Sequence, residues 1–333
     1  MDSHFDFIMA GGGAAGLSLA LAMQESGLKN KRILIIDPEE KLRNDRTWCF
    51  WDSKDTIEPM VIHRTWKRLH FIASNWSRLL ELEKYTYAMV RGVDYYQHAT
   101  QRLKKSGQVV FLKDSVVGVT QKTDRVEVAC ESGIYTADYC FDSRFQFSDY
   151  ASANDGSAHH LIQHFRGWEI ETPQLAFDPY SMTLFDFRTP QDDSMRFFYV
   201  LPLTEKRALI EYTIFSENLL PSQSYDSALK SYIETVLKIR NYHILSVEDG
   251  KIPMTDRPAR LAESDRHILI GTRGGRVKPS SGYAFLRIQK DSRAIVRSLL
   301  ETGEPMKYRP RSPLAYAWFD RIMLHVMKHR GGQ

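Results

Sequence analysis

Phe5-Asp-Phe-Ile-Met-Ala10, running directly into Gly11-Gly12-Gly13-Ala14-Ala15-Gly16, is the stretch on which the fold turns. The first six residues make a short apolar run of the length of a buried strand, and residues 14–26 read as a helix. Between them Gly11, Gly13 and Gly16 set out G-x-G-x-x-G. The first glycine of that pattern permits a tight turn after the strand, and the second lets backbone approach a pyrophosphate. The third lets the helix pack closely on the sheet. A helix N-terminus then offers free N–H groups and partial positive charge to an anion. Lys31-Arg-Ile-Leu-Ile-Ile36 reads as a second strand, stopped at Asp37-Pro38. Asp37 sits 21 residues after Gly16, close to the spacing of about 20 at which an acid holds the ribose hydroxyls. Strand, helix, strand and terminal acid in register predict a βαβ dinucleotide site, with an ordinary Gly-rich turn as the alternative. The motif alone does not choose between FAD and NAD.

Outward from this unit, residues 45–70 are rich in tryptophan and show no clear period. A helix is predicted over 95–106 and strands over 108–112, 125–130 and 135–141, the last closing at Asp142-Ser-Arg144. Polar, small residues at 148–158 read as a loop or boundary. Strands follow over 161–170, 182–188 and 196–203. The turn Thr204-Glu-Lys206 then joins the third of these to 207–215 as a hairpin. Helical spacing marks 225–239, a short strand 267–271 and a helix about 284–300. α/β ends thus flank a β-rich middle, which predicts an α/β, Rossmann-like FAD/NAD(P)-binding domain carrying an inserted β-rich substrate domain. The expected boundaries are 1–60, 85–145 and 248–300 for the cofactor domain, 61–84 and 146–247 for the insertion, and 301–333 for a C-terminal helical segment.

Bulk composition narrows the classes. Over 333 residues, 45 Lys and Arg against 41 Asp and Glu leave a net charge of +4. That excess is spread along the chain rather than concentrated, which argues against a nucleic-acid partner and is compatible with an anionic membrane surface. Cys49, Cys130 and Cys140 form no CxxC pair and, being odd in number, no disulfide framework, so a reducing cytoplasmic setting is expected and no metal site. The uncharged run 7–23 follows an acidic leader and is crowded with glycine, unlike a signal peptide, and it is short for a membrane span.

Three further features carry chemistry. Ile268-Leu-Ile-Gly271 enters a Gly-rich turn, and Pro279-Ser-Ser-Gly282 opens a helix. This resembles the distal FAD segment of many flavoproteins, and makes Gly271, Pro279 and Gly282 candidate cofactor residues; a plain helix cap is the alternative. Thr272 stands where flavin hydroxylases usually carry Asp. In residues 207–215, alternation places Leu209, Glu211, Thr213 and Phe215 on one face and Ala208, Ile210, Tyr212 and Ile214 on the other. Both faces are apolar enough to be buried. Glu211 is then either a general acid with a raised pKa or a carboxylate paired with an arginine or reaching solvent. Asp186 poses the same question, with Arg188 as a ready partner on its own face. Asp45-Arg46-Thr47-Trp48-Cys49-Phe50-Trp51-Asp52 sets aromatics among charges. Trp48 is a candidate for stabilising a cation or a core residue, and Arg46 a candidate contact to flavin or phosphate.

These segments together resemble the lycopene cyclase family, especially lycopene β-cyclases of bacterial type. The resemblance rests on the cradle at 11–16, Asn44-Asp-Arg-Thr-Trp-Cys-Phe-Trp51, Met89-Val-Arg-Gly-Val-Asp-Tyr-Tyr96 and Phe141-Asp-Ser-Arg144. It continues through Gln163-His-Phe-Arg-Gly-Trp168, residues 182–188 and 209–216, Ile252-Pro-Met-Thr-Asp256 and 271–285, in family order over nearly the whole chain. It implies an isomerase of carotenoid biosynthesis that closes the ψ end groups of lycopene and related acyclic carotenoids into β-ionone rings, giving γ- and then β-carotene. Reduced FAD is implied as cofactor, NAD(P)H as reductant, and peripheral association with a membrane surface. Glu211 matches the family's catalytic glutamate, and Asp142 joins the expected cofactor residues. The chemistry suits the composition: a protonated polyene end needs a dry pocket, a proton donor, and flavin or aromatic groups that stabilise positive charge. The rival readings are a flavin monooxygenase or polyprenyl reductase on the same fold, and a truncated, inactive flavin- or carotenoid-binding paralogue. Family members generally continue beyond the equivalent of His329-Arg-Gly-Gly332. Arg273 replaces a small residue of relatives, and is expected either to crowd the flavin or to give it positive charge.

Overall fold

Both faces of His4–Ala10 are apolar, so the strand is driven to the centre of an eight-stranded sheet. This is seen in a computed structural model that describes residues 4–53, 61–153, 155–310 and 313–332; the leader Met1-Asp-Ser3, Arg311 and Gln333 lie outside the described residues. Phe7 and Met9 enter one core with Leu17, Leu19 and Met23, while Ile8 and Ala10 enter a second with Val126, Val128 and Cys140. The uncharged run 7–23 is therefore core strand and core helix. His4–Ala10 pairs in parallel with Ile33–Asp37 and Ile134–Asp142, and Val109–Lys113 and His267–Leu269 extend the parallel order outward. Ala14–Gln24 covers one face together with Gly92–Lys105 and Phe285–Thr302. The antiparallel hairpin of Val116–Gln121 and Val126–Cys130 contributes to the core on the other face.

A second sheet has seven strands, in the order His243–Thr255, His160–Glu171, Arg207–Ser216, Met195–Pro202, Ser181–Asp186, Arg68–Ala73 and Trp76–Glu81. All its pairs are antiparallel except Ser181–Asp186 with Arg68–Ala73. The helix Ser222–Ser231 and the π-helical turn Tyr232–Val236 cover one face, packing on Ile210, Tyr212 and Ile214. The expected hairpin at 204–206 is present, and the alternation along Arg207–Ser216 divides the faces as the sequence predicts.

Several expectations need correction. The boundary expected at 248 falls inside His243–Thr255, an edge strand of the second sheet whose first half is too exposed to alternate. The loop expected at 148–158 contains the short helix Phe147–Ser152. Residues 45–70 lack a clear period because they feed two sheets: Thr47–Asp52 and Arg64–Trp66 flank Thr86–Arg91 in a small three-stranded sheet, and Arg68–Ala73 begins the large one. The C-terminal segment is helical over Leu314–Arg330, and packs Leu324 and Met327 against Phe197 and Phe215. Among the described residues, no helix is long and apolar enough to cross a membrane.

Candidate active site

A cavity of about 470 Å³ draws its walls from both large sheets. At the cradle, Gly11 has φ +112°, a conformation that favours glycine. A Cβ on Gly16 would fall 2.1 Å from the carbonyl oxygen of Gly11, so the helix can only start this close to the turn without a side chain there. Gly13 faces open space. Helix Ala14–Gln24 has no side-chain cap, and its first residues line the cavity, leaving first-turn amides directed to an anion. The Asp37 carboxylate also lines the cavity; its Oδ2 accepts from the Gly12 amide at 2.7 Å, which fixes it beside the turn. Helix Phe285–Thr302 likewise begins in the cavity wall without a side-chain cap or an acidic residue in its first turn. Gly271, Thr272 and Gly282 contribute to the same wall. The residues present therefore fit a dinucleotide with a pyrophosphate on one helix N-terminus and a second N-terminus free for another electron-rich group.

Glu211 reaches this cavity from the strand Arg207–Ser216. Among the described residues, no arginine pairs with it. Thr213 Oγ1 donates to its Oε1 at 2.6 Å, and burial, followed by the negative charge of Glu248, pushes the carboxyl up to about 8. Of the two sequence-level alternatives for Glu211, the structure presents the uncompensated carboxyl. Phenols and aromatic rings surround it. Tyr87 and Tyr283 are linked hydroxyl to hydroxyl at 2.9 Å, and burial raises both, with Tyr283 at about 12 and Tyr199 well above its ordinary value. Trp48 stacks on Phe285 with ring centres 5.0 Å apart and meets Tyr95 and Tyr96 edge-on. Trp48 and Arg46 both line the cavity.

Four expected site residues are not in the cavity wall, the first being Gly16, which packs against the Gly11 carbonyl behind the turn. Asp142 is fully buried; its carboxylate accepts from Arg144, His267 and Arg273, which leaves it no face to a cofactor. Its effect is to hold Arg144, whose side chain does line the cavity. Asp186 is fully buried between Arg188 and the Tyr232 hydroxyl, the paired alternative named above. Pro279 shapes the turn in which the Gly282 amide bonds to the Lys278 carbonyl, behind the wall rather than in it. Arg273 also turns away, to Asp142 and the Arg144 carbonyl, so it neither crowds the cavity nor charges it. Sequence reasoning missed Arg144, Tyr199, Tyr283 and Glu248. A glycine inside a long strand, Gly167, was the signal for the last, since such a residue marks close approach.

The arrangement defines a protein class: an enzyme fold of the FAD-binding, Rossmann-like α/β type. Solved structures of that type superimpose on the chain. One is a geranylgeranyl bacteriochlorophyll reductase-like protein from Thermoplasma acidophilum, with TM-score 0.68 and 14% identity, covering 100% of this chain and 86% of its own. Another is the flavin-dependent brominase Bmp2, with TM-score 0.64 and 12% identity, covering 95% and 83%. Residues 6–328 match the lycopene cyclase protein family, and the chain belongs to that family. It is 25% identical over 297 residues to a lycopene beta-cyclase from Pantoea ananas, covering 86% of this chain and 72% of that one.

Proposed function

We propose that the chain is a lycopene β-cyclase, closing the ψ end groups of lycopene into β-ionone rings by way of γ-carotene. The observation that carries this reading is the buried Glu211 carboxyl, which lines the cavity that also holds the dinucleotide cradle and has no cationic partner among the described residues. Reduced FAD, replenished by NAD(P)H, supplies negative charge to the cavity when bound. Gly11, Gly13, Gly16 and Asp37 would hold its dinucleotide portion, with Arg46 and Arg144 available to its phosphates. Glu211 keeps its proton at neutral pH, with Oε1 engaged by Thr213 and Oε2 left to deliver it. Protonation of the terminal double bond leaves a cation, the neighbouring double bond closes the ring, and loss of a ring proton completes an isomerisation. The neutral phenols and Trp48 stabilise positive charge through their ring faces without trapping it as a nucleophile.

The substrate is a long hydrocarbon, and the surface offers it a lipid-facing approach. Helix Leu314–Arg330 exposes Trp318, Phe319, Ile322, Met323 and Val326, with Arg321 and Lys328 beside them, paired with Asp256 and Glu217 in turn. Its one acid, Asp320, is turned inward to Lys278 and Ser280, next to the turn that lines the cavity. An apolar face with a basic flank suits a peripheral position on an anionic bilayer, at its cytoplasmic side. Expression in a lycopene-accumulating cell, with pigments separated by chromatography, tests the activity. β-Carotene and γ-carotene are expected; unchanged lycopene in cells that contain the flavin-loaded chain would sink the reading.

A further inference from the structure

Glu211 does not stand alone. Strand register sets Gly167 opposite Glu211 on one side and opposite Glu248 on the other. Because Gly167 has no side chain, the Glu248 side chain lies over it on the face that Glu211 shares; a Cβ there would come 3.1 Å from Glu248 Cγ, 3.1 Å from Leu209 Cδ1 and 3.5 Å from Glu248 Oε1. Both carboxylates line the cavity. Their surroundings differ in a way that separates their states. Burial raises the Glu248 carboxyl as well, with Glu169 and Asp249 acting in the same direction, while Thr47 Oγ1, donating to its Oε2 at 2.7 Å, and the Arg46 charge favour its ionised form; among the described residues its buried Oε1 has no donor. The charge acting on Glu211 is that of Glu248 itself.

We propose that Glu248 is a second catalytic residue: the ionised half of a carboxyl pair that takes the proton lost from the closed ring and returns it to Glu211. This rests on the cyclisation reading. In the first half-reaction the Glu211 O–H bond breaks and a C–H bond forms at the polyene terminus. In the second, a ring C–H bond breaks, its electron pair becomes the ring double bond, and the proton goes to the free Oε1 of Glu248. Transfer from Glu248 to Glu211 over Gly167 restores the starting state, so no co-reactant is consumed. Paired titratable groups whose surroundings push them apart commonly divide acid and base roles in this way. The other charged or titratable groups facing the pair are Arg46, Cys49, Glu169, Tyr199, Asp249 and Tyr283. Burial keeps the thiol and both phenols neutral through the neutral range.

The test uses the full chain with flavin bound, as wild type, Glu248→Gln and Glu248→Asp. Infrared difference spectra followed across pH read the protonated carboxyl of Glu211 without substrate. Removing the neighbouring charge in Glu248→Gln is expected to lower its midpoint by at least about 1 pH unit. Turnover of lycopene is expected to fall roughly a hundredfold or more in that variant, with partial recovery in Glu248→Asp. An unshifted midpoint, or full turnover in Glu248→Gln, overturns the proposal. Should the wild type form no ring at all, the cyclisation reading and with it the base role fall, while the infrared midpoint still decides whether the two carboxyls share a proton.

Discussion

The region around Asp142 and the region around Glu211 both enclose carboxylates, and they reach opposite states. Burial by itself raises Asp142, but the hydrogen bonds from His267 and Arg144 and the charge of Arg144 outweigh it and hold the carboxyl well below its ordinary range. At Glu211 burial acts in the same direction, and no cation among the described residues opposes it. Asp186 with Arg188, and Asp291 with Arg309 and Arg276, are likewise buried carboxylates held in ion pairs with arginine. The lesson is that enclosure alone does not mark a reactive acid. A compensated buried charge braces the scaffold, whereas an uncompensated one facing a cavity keeps a proton that it can deliver.

The sharpest way to break this comparison is Glu211→Gln. It should retain flavin absorbance while ring formation drops by roughly 10²- to 10⁴-fold in a pigment assay; wild-type rates would remove Glu211 from the mechanism. Asp142→Ala should do the reverse. It leaves Arg144 and Arg273 without their shared anion, and is expected to cost about 3–5 kcal/mol in urea denaturation. A loss below about 1 kcal/mol would show that the two regions do not differ as described.

Smaller effects sharpen the picture. Gly16→Ala forces a methyl against the Gly11 carbonyl, for an expected loss of about 1–3 kcal/mol and weaker flavin retention on gel filtration. In pH dependence, activity should fall about tenfold per unit above the Glu211 midpoint near 8. Stability carries a matching sign. The folded carboxyl lies above its ordinary 4.5, so its contribution is fully present below that value and is lost as pH rises through about 8. Glu211→Gln should flatten that slope in thermal melts taken between those two pH values. The smallest effect expected is from Trp318→Ala with Phe319→Ala, a several-fold weaker sedimentation with anionic vesicles and no change in flavin content. Unaltered sedimentation would remove this helix from the proposed lipid contact.

The sequence by itself determined the features that depend on short-range geometry. The turn at Gly11, the close approach at Gly16 and the acid at Asp37 are set by a few consecutive backbone conformations and one βαβ unit. Which face Glu211 shares follows from the two-residue period of a strand. The family was legible for the same reason, as local motifs kept in order. Only the tertiary structure decided which carboxylates are compensated. Arg144, His267 and Arg273 converge on Asp142 from three separate segments, so a residue that reads as cofactor-facing becomes a brace. Glu248 comes beside Gly167 and Glu211 from a strand with no legible alternation. A carboxyl's proton depends on every charge within several ångströms and on the water excluded around it. Those neighbours are assembled by strand pairing across long stretches of chain, which no local pattern records.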